Sequence, residues 1–559
     1  MTRTAWLLLG YLALAIAVLR PDARPPGATV VAGAEPCDTV PFALAWAIDW
    51  GLSRIDAGLV GYWDAPIFHP IHGSFALSEP MPLLSAAVWP LHSLGVPLHG
   101  CVLALVLAML TLDGLFVQRW LRVLGAGPRW STVGGAIATM LPFLHQELGV
   151  LPLLALWPAV WTMTALAQLE GPRPLRAAIA LGGSIAIGFG CCAQLTLLTV
   201  LVATPVALVR LRPRRVPWRA IAIAVAIGSG GVAPQAWVQH RTLASLGLRR
   251  SETSQDRGAA TPGQLLRLPW APLEPLPRSM IAGRTGARAF DPGPVRLALA
   301  AIAATVGLRA RRRRRTTAAL LVMLATAVGL ALAPRISVAG FEPYDVLTRV
   351  VPGLDRVRAV FRVLALAQLA AIALAMLGLR ALEIRIRALR RRGRARRWHV
   401  PALVLLAGLA LVELVPPTPR WTALPPSDAR WIAWLREHTA ATDAVAVLPL
   451  PEGSDACDYE GAAIAMLQAR AHGRPLFNGY SSYFPPQYTR IARAVRMLPD
   501  GRATLALRTL DVRWVVATDA IADGLDQATR DRLGLHAQLH DRDAGITVFA
   551  LRAPARAGP

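Results

Sequence analysis

Apolar residues gather along this 559-residue chain in long runs, which short polar segments separate. A transmembrane helix needs about 20 apolar residues, and fewer where it is short or tilted. By that measure the pattern predicts about eleven transmembrane helices. The predicted spans cover residues 4–19, 97–117, 131–144, 150–169, 177–189, 195–209, 220–233, 294–308, 316–333, 363–379 and 400–415.

Arginine clusters lie between several of these spans, at Arg210–Arg215, Arg309–Arg315 and Arg385–Arg397. Clusters almost free of acid beside apolar spans are typical of cytoplasmic loops. If Arg3 is cytoplasmic, alternation across the spans places all three clusters on the same side. The N-terminus is therefore predicted to be cytoplasmic, and the chain after the last span to be extracytoplasmic.

The same map predicts the domains. Residues 1–415 form a membrane domain with a large first external loop at 20–96 and a second at 237–293. Residues 416–559 carry short helix and strand patterns instead of apolar runs, so they predict an extracytoplasmic α/β domain. Its predicted strands are Ala444–Leu450, Arg513–Thr518 and Gly545–Leu551, and its helices cover 427–438, with Ser427 as N-cap, and 459–473.

Composition agrees with a membrane protein, since 54% of the residues are hydrophobic and the mean hydropathy is +0.43. The net charge of +25 is concentrated beside the spans, so we expect no nucleic-acid partner. Motifs of dinucleotide-binding, P-loop, zinc and serine-hydrolase sites do not occur in a credible context. The spans hold few ionisable groups, of which Asp113 is the clearest, and this argues against a secondary transporter.

Two cysteines, Cys37 and Cys457, lie outside the spans on the same predicted side. In an oxidising compartment they can pair and join the first loop to the tail, or they can remain two free thiols; the sequence leaves both open.

The acids of the first external loop fall into two classes. Trp46 and Trp50, on either side of Asp49, lie four residues apart and so share one helix face. This predicts an interfacial helix with Asp49 and Asp56 as solvated acids. Asp38 and Asp64 stand beside proline and aromatic residues in non-helical stretches, where a carboxylate can be aimed at a site.

The stretch GYWDAPIFHPIHGSFALSEPMP, residues 61–82, is the least helix-like part of the first loop. Its four prolines each remove a backbone donor and disfavour helix before them. We expect an irregular strip, here called the proline strip, that packs against the external ends of the spans near the segment Arg356–Arg362.

Several pieces of the chain, taken in order, resemble the bacterial multi-spanning proteins of the GT-C glycosyltransferase superfamily. They include CDTVPFALAWAIDWGL, the proline strip, MLPFLHQELGVLPLLALWPAVW, VVPGLDRVRAVFRVLALAQLAAIAL and, in the tail, GRPLFNGYSSYFPPQY. The resemblance implies an α-helical polytopic membrane protein with a GT-C-like fold and a sugar donor linked to polyprenyl phosphate.

In that superfamily a carboxylate of the first external loop is the base or orients the acceptor. The resemblance places it at Asp38, where Cys37 replaces the glycine usual before this acid. Asp64 and Glu79 are further candidates for the catalytic carboxylate. A base for the acceptor hydroxyl is chemistry that Asp or Glu can perform.

The leaving phosphate needs cations, and the planar arginine fork binds two phosphate oxygens. Arg356, Arg358 and Arg362 lie just outside a span on the side where positive charge is disfavoured, so we predict that they bind the donor phosphate. The alternative is that these side chains only reach the lipid headgroups.

Two functions follow. The first is an enzyme of the cytoplasmic (inner) membrane that transfers a hexose or pentose to a glycan, lipid or protein acceptor in envelope assembly. The second is a non-catalytic membrane scaffold, or lipid-carrier-binding protein, of the same architecture. Membrane lipids are expected partners of both. No metal ligands are predicted, although a divalent metal is compatible with the resemblance.

Overall fold

The computed structural model describes residues 3–212, 215–248, 258–269, 289–337, 339, 341–392 and 398–552. Helices dominate these ranges. They are α1 (Arg3–Leu19), α2 (Thr39–Asp56), α3 (Pro82–Ser93), α4 (Leu98–Val123), α5 (Pro128–Thr139), α6 (Pro142–Gln146), α7 (Trp157–Gln168), α8 (Pro174–Cys191), α9 (Ala193–Arg210), α10 (Trp218–Ser245), α11 (Pro262–Leu265), α12 (Pro294–Arg309), α13 (Arg314–Leu332), α14 (Pro343–Val350), α15 (Leu364–Arg391), α16 (His399–Val412), α17 (Arg430–His438), α18 (Glu460–His472), α19 (Pro486–Val495), α20 (Gly501–Arg508), α21 (Asp519–Asp523) and α22 (Gln527–Leu533).

Six strands occur in the same ranges. They are β1 (Thr29–Gly33), β2 (Arg420–Ala423), β3 (Ala444–Leu448), β4 (Val512–Thr518), β5 (Leu535–Asp541) and β6 (Ile546–Leu551). Strand β1 pairs with β2, and the other four form one sheet in the order β3-β4-β6-β5.

Every predicted span falls on a helix. By length and composition, eight of the helical segments in the described ranges can cross a membrane. The other three predicted spans are shorter: α5 has 12 residues, α12 has 16 and α16 has 14. The prediction of a helical polytopic membrane protein with a small sheet near its C-terminus is confirmed.

The chain divides into two compact units. The helical unit comprises Met1–Arg24, Leu103–Gln235 and Arg249–Arg420, and the mixed unit comprises Pro25–Val102, Ala236–Leu248 and Trp421–Pro559. The first loop thus belongs to the same compact unit as the tail. The separate domain over 416–559 stays a prediction. Of the second predicted loop, residues 249–257 and 270–288 lie outside the described residues.

In the helical unit, α15 is the central element, and residues 364–379 are all buried. Gly378 makes this burial possible, since a Cβ there would lie 2.2 Å from the backbone oxygen of Leu299 in α12. Small residues at such positions let two transmembrane helices approach closely. By contrast, only 11% of the apolar window of α10 is buried, as expected of a helix with a broad face toward lipid.

In the mixed unit, strands β3 and β4 are parallel, whereas β6 is antiparallel to both β4 and β5. Helix α17 covers the sheet with Trp431, Ile432 and Leu435, which pack against Val445 of β3 and Val516 of β4. Burial of apolar area drives this packing.

Helix α17 begins at Arg430, so the predicted N-cap at Ser427 is wrong. The carboxylate of Asp541 in β5 accepts a hydrogen bond of 2.9 Å from the backbone N–H of Trp431. A distant strand therefore satisfies the helix N-terminus, which usually needs a local cap.

Candidate functional site

Asp38 directly precedes α2, but its side chain does not cap that helix. Its Oδ2 instead accepts a hydrogen bond of 2.5 Å from the hydroxyl of Thr422 in β2. Its backbone N–H donates to Oε2 of Glu460, the first residue of α18, at 3.2 Å. Residues from the tail therefore fix both the carboxylate and the main chain of the predicted catalytic acid.

A disulfide joins the neighbouring Cys37 to Cys457, with 5.5 Å between the Cα atoms. The pairing that the sequence left open is therefore present. It links the two segments that carry Asp38 and Glu460, so the first loop and the tail meet at the candidate carboxylate.

Asp64 and Glu79 have different surroundings. Oδ1 of Asp64 accepts from the backbone N–H of Gly73 at 2.8 Å and lies 3.5 Å from the ring of His72. The Asp64 side chain is 54% exposed, so it closes a surface turn within the proline strip. Glu79 is half-buried before Pro80. Asp38 is the candidate with the most support from distant residues.

The proline strip is irregular, as predicted, with only the short 3₁₀ turn Ser74–Leu77 inside it. It makes main-chain hydrogen bonds with the tail: the N–H of Phe68 donates to Asn478 at 3.2 Å, and that of His69 donates to Leu476 at 2.9 Å. Ser78 accepts from the side chain of Gln239 at 3.0 Å, at the end of α10. The strip thus packs against the tail as well as one helix end.

The predicted interfacial face of α2 is wrong. Trp46 and Trp50 are only 4% and 5% exposed, respectively, and both pack edge-on against Phe75 of the strip. Asp49 is half-buried rather than fully solvated, and it forms an ion pair of 2.6 Å with Arg470 of α18. The amphipathic pattern therefore belongs to a helix that packs against the tail. Protein, and not the lipid headgroup region, buries Trp46 and Trp50.

Asp56, the second acid expected to be solvated, lies at the end of α2. Its side chain is 49% exposed, and it accepts a hydrogen bond of 2.8 Å from the indole N–H of Trp89. The carboxylate therefore holds α3 to α2 at the surface.

The predicted phosphate-binding arginines belong to the helical unit, where they precede α15. Arg356 ends the 3₁₀ turn Leu354–Arg356 and is half-buried, whereas Arg358 is exposed. Arg362 lies in a second turn, Val360–Val363, directly before α15. The central helix thus begins immediately after this basic segment.

Arg362 contacts two polar residues, Gln194 of α9 and Glu147, which directly follows α6. Its Nη1 donates to Oε1 of Gln194 at 2.7 Å, and Nε2 of Gln194 donates to the carbonyl of Ala359 at 2.9 Å. The guanidinium Nε lies 3.9 Å from the carboxylate of Glu147, which is fully buried, while the Arg362 side chain is 21% exposed. One edge of the guanidinium therefore meets protein, and part of the side chain reaches solvent.

Sequence reasoning missed the polar triplet His145–Glu147 within the stretch MLPFLHQELGVLP. Gln146 exchanges two hydrogen bonds with the backbone of Ala289, at 2.7 and 3.0 Å, while the ring of His145 lies 3.2 Å from the carbonyl of Thr139. Three consecutive polar residues between apolar runs and prolines were the available signal, because buried polar groups need partners.

Metal-binding geometry is absent from the described ranges: no group of three or more His, Cys, Asp or Glu side chains there is placed to hold an ion. The three candidate carboxylates lie in the mixed unit and the three arginines in the helical unit.

No protein-family model matches the sequence, and no curated protein matches it. Among solved structures, the arabinofuranosyltransferase AftD from Mycobacteria aligns with a TM-score of 0.58 and 17% identity, over 99% of this chain. The chain therefore has the fold of this AftD structure. It covers 40% of the AftD chain, so it spans less than half the length of that structure.

Two other solved structures align over the whole chain with lower TM-scores. AglB from Archaeoglobus fulgidus, an oligosaccharyltransferase solved with an inhibitory peptide and a dolichol-phosphate, has a TM-score of 0.49 and 11% identity, with 75% of its chain covered. ArnT from Cupriavidus metallidurans, bound to undecaprenyl phosphate, has a TM-score of 0.45 and 12% identity, with 100% of its chain covered. The fold assignment rests on the AftD match alone.

Proposed function

We propose that the protein is an integral-membrane glycosyltransferase that moves a sugar from a polyprenyl-phosphate-linked donor to an extracytoplasmic acceptor. The observation that carries the proposal is the alignment of the whole chain with the fold of AftD, a glycosyltransferase. Asp38 supports it, because Thr422 binds its carboxylate and Glu460 binds its backbone N–H, at the position that the family resemblance assigns to the base.

In this mechanism Asp38 accepts the proton of the acceptor hydroxyl as the hydroxyl oxygen attacks the anomeric carbon of the donor. The new glycosidic C–O bond forms while the bond from the anomeric carbon to the phosphate oxygen breaks. The electron pair of that bond leaves with the polyprenyl phosphate, and the proton passes from Asp38 to solvent. Thr422 orients the carboxylate through its hydrogen bond. A base positioned in this way contributes typically 10²–10⁴-fold in rate.

Arginine holds the departing phosphate in this proposal. Arg362 is the best-placed candidate, because Gln194 fixes its guanidinium while part of the side chain stays accessible. A fixed fork loses less entropy on binding a phosphate than a free side chain does. Arg358 and Arg356 would add charge on the same segment.

The proposal assigns the chain to the cytoplasmic (inner) membrane, with the N-terminus cytoplasmic and the tail extracytoplasmic. The arginine clusters support this orientation, since it places all of them on the cytoplasmic side. A lipid-linked donor then meets its acceptor outside.

The test is turnover by the purified full-length protein, measured as release of polyprenyl phosphate from a panel of lipid-linked sugars. We expect Asp38→Asn to lower the rate by roughly 10² to 10⁴ with little change in stability. Asp56→Asn, at the far end of α2, is the matched control and should keep full activity. Full activity of Asp38→Asn would move the role of base to Asp64 or Glu79, and inertness toward every donor would favour the non-catalytic scaffold.

A further inference from the structure

Six aromatic side chains form two layers in the mixed unit, here called the aromatic cluster. The inner layer consists of Phe68, Phe477 and Tyr488, which are 0%, 0% and 4% exposed. The outer layer consists of the half-buried Tyr459, Tyr480 and Phe484.

The outer rings lie close together, and each is half-buried. The ring centroids are 4.7 Å apart for Tyr459 and Phe484, 5.7 Å for Tyr459 and Tyr480, and 6.2 Å for Tyr480 and Phe484. Partly accessible tyrosine rings are enriched at binding surfaces, because each combines an apolar face with a polar hydroxyl.

The inner layer keeps this surface rigid. Phe484 lies 5.9 Å from Phe68 and 6.2 Å from Tyr488, with the second pair stacked. Phe68 lies against Gly479, where a Cβ would come within 2.6 Å of its ring. Rings fixed in this way lose little conformational entropy when a ligand binds them.

Polar groups surround the rings. Asp455, Asp458 and Arg496 are exposed, and Asp458 and Arg496 both act on the pKa of Tyr459, which burial raises. The hydroxyls of Tyr488 and Ser481 are buried and have no hydrogen-bond partner among the described residues. A rim of both signs does not suit an acyl chain, whereas carboxylates, a guanidinium and hydroxyls suit a ligand rich in hydroxyl groups.

The aromatic cluster also adjoins the candidate base through the chain. Tyr459 directly precedes Glu460, which accepts the backbone N–H of Asp38, and it follows Cys457 of the disulfide by two residues. Because the same short segment carries both features, a ligand on the aromatic cluster lies on the segment that positions Asp38.

We propose that the aromatic cluster is a carbohydrate-binding subsite that holds the glycan acceptor. The apolar C–H face of a sugar ring packs on Tyr459, Tyr480 and Phe484, while its hydroxyls bond to the polar rim. This inference rests on the proposed glycosyltransferase function and specifies its acceptor class as a saccharide.

The test measures binding alone, without donor or turnover. The full-length protein in nanodiscs is titrated with a panel of soluble gluco-, manno-, galacto- and arabino-oligosaccharides, followed by saturation-transfer NMR. We expect saturable binding by at least one class, weakened about tenfold or more by Tyr459→Ala and by Tyr480→Ala, since one aromatic contact contributes that order of affinity. Tyr459→Phe should retain most of the binding because it keeps the ring.

Trp434→Ala is the matched control, since Trp434 is a half-buried aromatic residue that stacks on His438 of its own helix. It should bind like the parent protein. Hydroxyl-radical footprinting should show protection of Tyr459 and Tyr480 by the bound saccharide. Absence of saturable binding across the panel, or equal weakening by Trp434→Ala, overturns the proposal.

The two proposals fail separately. Loss of saccharide binding with turnover of a lipid or protein acceptor would leave the glycosyltransferase standing and remove its glycan subsite. Saccharide binding without any turnover would leave the saccharide-binding subsite standing and remove the glycosyltransferase activity.

Discussion

Thr422→Val provides the sharpest test of how the candidate base is oriented. The substitution removes the hydroxyl that donates to Asp38 and keeps the shape of the side chain. The bond measures 2.5 Å, which is the range of O–H bonds to an ionised oxygen. Such bonds contribute about 1.5–3 kcal/mol, so loss of orientation should slow transfer roughly 10-fold to 150-fold, at about 1.4 kcal/mol per tenfold.

The assay is release of polyprenyl phosphate from the donor found by the panel. Thr422→Ser should recover most of the activity, because it restores the hydroxyl. In the Asp38→Asn background, Thr422→Val should have little further effect, since the two residues act on one step. An equal loss in both backgrounds would refute the reasoning, as would full activity of Thr422→Val. Thermal unfolding of each variant separates these outcomes from a folding defect.

Three further predictions concern stability and orientation. Glu413→Gln should destabilise the helical unit by about 3–5 kcal/mol, because Arg296 is 1% exposed and lies 3.2 Å from Glu413. In thermal unfolding, the double variant with Arg296→Met should lose less stability than the single variant. Burial, reinforced by Arg474, lowers the pKa of His472 to about 4. The folded protein therefore favours the neutral ring, so about 3 kcal/mol of stability should be present above pH ~6.5 and lost as the pH falls toward ~4. In His472→Gln the free energy of unfolding should depend less on pH over this range. An unchanged pH dependence would contradict the assignment. A reporter fused after Leu551 should give an extracytoplasmic signal, and a cytoplasmic one would reverse the membrane map.

The membrane helices could be predicted from the sequence because apolar runs are recognised without knowledge of any distant partner. Their ends were predicted less well. The predicted span at 220–233 covers only the N-terminal half of α10, which runs from Trp218 to Ser245. Its later turns carry polar residues, and hydropathy alone cannot separate a helix that continues from one that ends.

The tail shows the opposite limit. The strand β3 was predicted from its apolar run, whereas β5, with the sequence LHAQLHD, was missed. Its side chains are largely polar, and its strand conformation comes from pairing with β6 along its whole length. Pairing of this kind overrides local preference.

The candidate site divides in the same way. Asp38 was found from a local pattern and a family resemblance. Its partners Thr422 and Glu460 lie 384 and 422 residues away, and nothing near either residue in the sequence indicates such a contact.

The mixed unit comprises three segments, and the first and last of them are synthesised far apart in time. Its first loop contributes β1, α2 and the proline strip, and each of these pairs or packs with the tail. The disulfide partners are separated by 420 residues, which ribosomes take about 20–80 s to make at roughly 5–20 residues per second. During that interval Phe68 lacks Phe484 and Tyr488 of the tail, which later pack against its ring. We therefore expect the nascent first loop to depend on a holding chaperone, and truncations before the tail to be degraded.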